Sequence, residues 1–178
     1  MSEGITLEVV LPLSWAARQT NSQANVEMQR QSNVSLLRAL TSIEAMAPER
    51  ELEDEATQKA LERMESKLDI VMLLMAKLAG ATGLLPSEKP VALRADSISW
   101  LEHENTPAIG ESIMVSIFLN PRLPQPLLLS AQVRDLQNKD HGTQIEVTLE
   151  EIGSELQEWL TRTIFRYHRR QVQARRQP

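Results

Sequence analysis

The 178-residue chain has no cysteine and a net charge of −5, and 42% of its residues are hydrophobic. The lack of cysteine excludes a disulfide framework, a thiolate metal site and a cysteine nucleophile. Aromatic residues make up only 3%, which argues against a base-stacking nucleic-acid surface. The longest wholly apolar run, 70–76, is far shorter than the ~20 residues that cross a bilayer. The first residues also lack the layout of a secretory signal, so we expect a cytoplasmic protein.

Two changes of periodicity organise the N-terminal half. Apolar residues alternate over Ile5–Leu11 and predict a strand that Pro12 ends. Helical spacing then begins near Ala24 and predicts a first helix, which breaks near 47–48 because a proline disfavours helical geometry in the residue before it. Acidic residues after that proline suit the first turn of a second helix, which we expect to reach about Ala79.

The second predicted helix carries the clearest periodicity in the chain. Spacings of three and four alternate, and they place six apolar residues at the a and d positions of nearly three heptads: Leu61, Met64, Leu68, Val71, Met75 and Leu78. This seam predicts self-association into a helical bundle. The alternative is a helical hairpin that covers the rest of the same molecule. The first helix also fits heptads, with Gln29 and Asn33 at seam positions, where polar side chains can fix register and oligomer number.

The C-terminal half is strand-like and then helical. Four alternating runs are separated by turn signals: Val91–Ala95, Ile113–Leu119, Leu127–Val133 and Ile145–Leu149. Short strands at this spacing predict a small antiparallel barrel or sandwich. The closing helix has one apolar face, formed by Ile152, Leu156, Trp159, Leu160, Thr163 and Tyr167. Six arginines and no acids follow Glu158, and the helix dipole accounts for several of those arginines.

Three segments carry a resemblance to a known family. The segment Gly110–Pro121, the strand Leu127–Val133 and the His141-Gly142 pair before Thr143–Leu149 resemble the strands of a PilZ domain. That domain is a small six-stranded antiparallel barrel with a C-terminal helix. The resemblance is best over 91–170. It implies an α+β fold with a PilZ-like barrel, a C-terminal helix and long heptad-repeat helices that form an oligomeric bundle.

The resemblance also implies a domain organisation. Residues 1–18 would hold the first barrel strand, 24–82 a helical oligomerisation insert, and 88–178 the barrel and its C-terminal helix. The alternative is a separate N-terminal strand, with the whole barrel after Glu88. PilZ-like proteins with heptad helices form tetramers, and the chain looks like one of these.

The family's ligand is cyclic di-GMP, held by an Arg-x-x-x-Arg stretch before the barrel and an [Asp/Asn]-x-Ser-x-x-Gly motif on an early strand. Ala92, Arg94 and Ser97 stand at the three signature positions of the second motif, so each one is replaced. Neither Met1–Gly4 nor Gly80–Pro90 contains an arginine. The resemblance therefore implies a protein that has lost the usual cyclic di-GMP motifs.

Two regions are candidate partner surfaces. We expect Ala92–Trp100 to lie in a strand in which Arg94 and Asp96 share one face by the period of two. A simple surface salt bridge, worth about 0–1 kcal/mol, is the plainer interpretation of that pair. Trp100 belongs either to this surface or to the core. The second surface is the basic end of the closing helix, with Arg162, Arg166, Arg169 and Arg170; the Arg-x-x-x-Arg string there does not match the family motif by position.

The leading functional hypothesis is an oligomeric PilZ-like adaptor in cyclic di-GMP-type signalling, linked to motility or type IV pili, with an unidentified protein partner. One alternative is a cyclic di-GMP receptor that uses a remodelled arginine site. Another is nucleic-acid binding through Arg162–Arg176. An enzyme is the least expected class, because the three histidines lack metal-ligand spacing and no nucleophile or phosphate-loop motif occurs. Glu102 and Glu104 flank His103 in an expected loop, and no cofactor or metal is expected.

Overall fold

The computed structural model describes residues 5–19, 22–44, 55–81, 85–120, 123 and 125–176. The described elements are, in chain order, β1 Leu7–Ala17, α1 Gln23–Glu44, α2 Glu55–Ala81, β2 Glu88–Leu93, β3 Ser97–Glu102, β4 Ser112–Ile117, β5 Leu127–Lys139, β6 Gly142–Leu149 and α3 Ser154–Arg176. The break predicted near 47–48, where the second helix was expected to begin, lies outside the described residues.

The six strands form one closed barrel in the order β1-β2-β3-β6-β5-β4, and every neighbouring pair is antiparallel. Alternate residues point inward over most of the strands, and in β4 the inward residues Ile113, Val115 and Ile117 are fully buried. The predicted α+β architecture, with a small antiparallel barrel and a C-terminal helix, is confirmed.

The first strand is longer than predicted, because Pro12 does not end it. β1 pairs with β2 over Leu7–Pro12 and with β4 over Leu13–Ala17. Pro12 therefore lies where the strand changes partners, and its carbonyl accepts a hydrogen bond from Phe118 N at 3.1 Å. A proline fits inside a strand only where its missing N–H is not required by the ladder. β1 thus closes the barrel, and both α1 and α2 lie between β1 and β2 in the sequence.

Helices α1 and α3 pack against each other beside the barrel. α1 contributes Leu36, Leu37 and Leu40, and α3 contributes Leu156 and Leu160; all five are at most 4% exposed. These side chains belong to the same apolar cluster as the interior of the barrel. The predicted apolar face of the closing helix therefore covers α1 and the barrel.

Gln29 and Asn33 lie against strand β5, although the heptad pattern predicted them at an oligomer seam. Asn33 is 4% exposed, and its Nδ2 donates to the carbonyl oxygen of Leu128 at 2.6 Å while its Oδ1 accepts from Leu128 N at 3.0 Å. Gln29 Nε2 donates to the same carbonyl at 3.1 Å. Since β5 pairs with β6 only from Ala131 onward, the amide of Asn33 supplies the partners that a neighbouring strand would otherwise supply.

Replacing Asn33 by alanine should lower the free energy of unfolding by about 1–3 kcal/mol, because the partly buried N–H of Leu128 loses its partner and the Leu128 carbonyl keeps only Gln29. Urea unfolding at a fixed protein concentration measures the change. Ser35→Ala, at an exposed position of the same helix, is the matched control and should change stability by less than about 0.5 kcal/mol. Equal effects of the two substitutions would contradict the role assigned to Asn33.

Candidate functional site

The stretch Ala92–Trp100 forms parts of two strands joined by a turn, and not the single strand predicted. Arg94 N donates to Ser97 O at 2.9 Å and closes the turn between β2 and β3. Arg94 and Asp96 therefore lie in a turn and share no strand face. Nor do they bind each other: Arg94 Nε donates to Thr6 Oγ1 at 2.8 Å, and Asp96 accepts from the Ser97 hydroxyl at 3.1 Å. Both charged side chains remain exposed, which a turn permits and an inward strand position does not.

Trp100 lies inside the barrel with 0% exposure, so the prediction that it contributes to a partner surface is wrong and its alternative, the core, holds. β3 directs Ile98, Trp100 and Glu102 inward by its period of two. Glu102, which was expected in a loop, is the last residue of this strand and only 6% exposed. An ionisable group is thus buried at one end of the barrel.

The Glu102 carboxylate accepts four hydrogen bonds. Its Oε2 atom accepts from Lys89 Nζ at 2.6 Å, from Trp15 Nε1 at 3.2 Å and from Trp100 Nε1 at 3.3 Å. Its Oε1 atom accepts from the backbone N–H of His103 at 3.2 Å. Burial raises the pKa of Glu102, but the hydrogen bond and the charge of Lys89, with the Trp100 indole and the His103 N–H, outweigh burial and hold the pKa below its usual 4.5. The carboxylate is therefore charged at neutral pH and ties β1, β2 and β3 together.

A groove of about 600 Å³ lies between β1, β2 and the C-terminal part of α3. Its walls are mostly apolar and include Ala92, with Glu8, Gln144, Tyr167 and Gln171 as the residues that carry polar side chains. No arginine or lysine occurs among the described residues that line it. A cyclic dinucleotide carries two phosphates, for which arginine forks are the usual protein partners. The described walls of this groove therefore offer no cation to such a ligand.

The arginines of α3 have different surroundings, because Arg162 is exposed whereas Arg166 is partly buried beside α1. Arg162 Nη2 pairs with Glu158 Oε1 at 2.5 Å, and Arg166 Nη1 donates to the Thr41 carbonyl of α1 at 3.4 Å. Arg169 and Arg170 are exposed one turn further on. The Arg-x-x-x-Arg string thus follows the barrel in sequence and contacts α1, whereas the family motif precedes the barrel.

Helix α2 exposes a long apolar surface. Nine of its large apolar side chains are between 45% and 64% exposed, namely Leu61, Met64, Leu68, Ile70, Val71, Leu73, Leu74, Met75 and Leu78. None of the extensive packing between described elements involves α2. The wide apolar face of α2 is therefore unpartnered among the described residues of one molecule.

The described residues contain no group of three or more histidine, aspartate or glutamate side chains placed to hold a metal ion. They also contain no helix whose length and apolar content would let it span a bilayer.

Comparison with known proteins places this architecture in a family. The model of the atypical PilZ domain, described as a cyclic di-GMP receptor, matches residues 37–177. A search of the curated proteins gave no match.

Two solved structures are similar to the chain. One is a protein from Xanthomonas campestris, described as a tetrameric PilZ domain self-assembled via a helical bundle; it is 22% identical, with a TM-score of 0.78 over 97% of this chain and 92% of that one. The other is the inhibitor of motility from Bacillus subtilis, 19% identical, with a TM-score of 0.40 over 47% of this chain and 42% of that one. The family model matches residues 37–177, which is most of this chain, and the chain therefore belongs to the atypical PilZ domain family.

Proposed function

We propose that the protein is an oligomeric adaptor in bacterial cyclic di-GMP signalling, linked to motility or type IV pili, which docks partner proteins in the cytoplasm. In this proposal it does not bind cyclic di-GMP through the usual motifs. The observation that carries the proposal is the apolar surface of α2, where nine large side chains are exposed along one helix. An adaptor with several copies of each docking surface gains avidity from weak individual contacts.

The geometry of α2 supports self-association over the hairpin alternative. A hairpin would cover the seam with α1, but α1 buries its own apolar face against β5 and α3. The six seam residues occupy a and d positions, and Met72 and Leu74 extend the stripe to the flanking e and g positions. A stripe wider than a and d alone favours more than two helices. The similar protein from Xanthomonas campestris is described as a tetramer, and we propose the same number here.

The proposal that the usual ligand site is lost rests on where the cationic side chains lie. Arg94 is the one cation at the three signature positions, and it hydrogen-bonds Thr6 in the β2–β3 turn. The neighbouring groove, which Ala92 lines, has no described cation in its walls. The family description favours a second candidate, a cyclic di-GMP receptor whose phosphates are held by Arg94 or by the α3 arginines.

Calorimetric titration with cyclic di-GMP tests whether the ligand binds. Light scattering on the same sample measures the mass and tests the oligomeric state. We expect no heat up to high micromolar ligand and a mass close to four chains. A PilZ protein with both arginine and aspartate motifs intact is the positive control for the ligand. Saturable micromolar binding would overturn the lost-site proposal in favour of the receptor, and Arg94→Ala and Arg162→Ala/Arg166→Ala would then locate the phosphates. A mass of one chain would overturn the oligomeric adaptor.

A further inference from the structure

The outward face of α3 combines aromatic and arginine side chains. The α3 strip consists of Trp159, Arg162, Phe165 and Arg169, which follow one another at spacings of three and four along the helix. Trp159 is partly buried against the core at the edge of this strip, and the other three residues are exposed. Phe165 is 54% exposed, and the side chain of Arg162 is 63% exposed. Tryptophan and arginine are the residues most enriched at the energetic centres of protein interfaces.

Two guanidinium groups lie close to the ring of Trp159. The Cζ atoms of Arg38 on α1 and Arg162 on α3 each lie 5.4 Å from the centre of its ring. Each arginine is fixed in turn by a carboxylate of α3, Arg38 by Glu155 at 2.6 Å and Arg162 by Glu158 at 2.5 Å. A surface whose side chains are already ordered loses less conformational entropy when a partner binds.

The charge of α3 opposes that of the rest of the protein. The helix has six arginines and two glutamates, a net charge of +4 in a chain whose net charge is −5. Interaction with the helix dipole favours cations only in the last turn, where Arg175 and Arg176 stand. Arg162 and Arg169 lie one or more turns before it, so the dipole does not explain them.

We propose that the α3 strip binds an acidic segment of a partner protein, with carboxylates of the partner on Arg162 and Arg169 and an apolar side chain against Phe165. This inference rests on the proposed adaptor function and names the chemistry of the partner. Opposite charge on the two surfaces would steer the encounter and fix the register of the complex.

Two other occupants fit less well. A nucleic-acid backbone would bring a row of phosphates against Glu155 and Glu158, whose side chains are 58% and 62% exposed beside the arginines. A second copy of α2 lacks excess negative charge, because Glu55–Ala81 has four acidic and four basic residues. A protein segment can instead place single carboxylates where arginines are and avoid both glutamates.

Site-specific photo-crosslinking of the full chain, in the cells that make it, tests the proposal. Phe165→p-benzoylphenylalanine puts the crosslinker on the strip, and Ile109→p-benzoylphenylalanine is the matched control at a 64% exposed apolar residue between β3 and β4. We expect only the Phe165 probe to crosslink a protein peptide of net negative charge. Arg162→Glu/Arg169→Glu should lower the yield at least tenfold, and lysine substitutions in the captured segment should restore it.

Crosslinking to a second copy of the chain or to nucleic acid would overturn the proposal, as would a yield unchanged by the charge reversal or the lack of any Phe165-specific product. The light-scattering mass of each variant separates this result from the proposed oligomer. A mass equal to the unmodified protein shows that the α2 bundle is intact when the strip fails. A single-chain mass with the crosslink retained would reject the bundle and keep the strip.

Discussion

Replacing Leu68 and Met75 by aspartate should convert the proposed oligomer into folded monomers. Both residues occupy a positions of the α2 seam, and in one molecule they are 59% and 55% exposed. The substitutions therefore cost the isolated chain little, whereas each carboxylate buried in a bundle core costs several kcal/mol. With two such groups in every helix, the penalty exceeds what the remaining seam contacts return. Light scattering measures the mass, and circular dichroism checks that the barrel is still folded.

The control places the same charges on the opposite side of the helix. Ser66 and Leu73 are also seven residues apart, and both occupy f positions, which point away from an a/d seam. Ser66→Asp/Leu73→Asp should therefore leave the mass unchanged. If the Leu68/Met75 variant keeps the mass of the unmodified protein, the seam is not the interface. If both variants dissociate, the whole apolar end of α2 is buried and the a/d assignment is wrong.

The two helices of the insert show what heptad spacing can and cannot predict. Spacing predicted apolar stripes on both α1 and α2, but it does not say what covers them. In α1, Asn33 was expected to set oligomer register, yet its amide binds the backbone of Leu128. A side-chain amide can hydrogen-bond equally well to a strand or to another helix, and the position of β5 in the fold decides which of the two it does. In α2 the apolar run 70–76 widens the stripe beyond the a and d positions, which is a stronger signal of burial by other chains.

The barrel was predictable because the alternation of apolar and polar residues is a local pattern. The errors in the prediction arose where two sequence patterns overlap. Pro12 was expected to end β1, but the strand changes partners there and no donor is needed. The turn at 94–96 escaped prediction because it has neither glycine nor proline. The burial of Glu102 could have been anticipated, since it follows Ile98 and Trp100 at the period of two on the inward side. Its charge favoured a loop, and its partners Lys89 and Trp15 come from other strands.

Because of these partners, replacing Glu102 should strongly destabilise the barrel. Glu102→Gln keeps the shape but sets a neutral amide against the Lys89 ammonium and two indole N–H donors. Removal of one partner from a buried ion pair costs about 3–5 kcal/mol, and we expect a loss of that size in urea unfolding at about pH 7. Lys89→Met on the Glu102→Gln background should recover part of the loss, since no buried charge is then left unpaired. Glu104→Gln, an exposed carboxylate two residues further on, is the matched control and should have little effect.

The same cluster gives stability a defined dependence on pH. Because the folded pKa of Glu102 lies below 4.5, the unfolded chain binds this proton more readily than the folded one does. The contribution of Glu102 is thus fully present above pH 4.5 and is lost as the pH falls through the lower, folded pKa. Unfolding of the parent and of Glu102→Gln should therefore differ most near neutral pH and converge under acid. In a Trp159→Phe background, emission from Trp15 and Trp100 reports the cluster, since both indoles donate to the carboxylate. A constant difference across that range would show that Glu102 is not held as an anion in the folded protein.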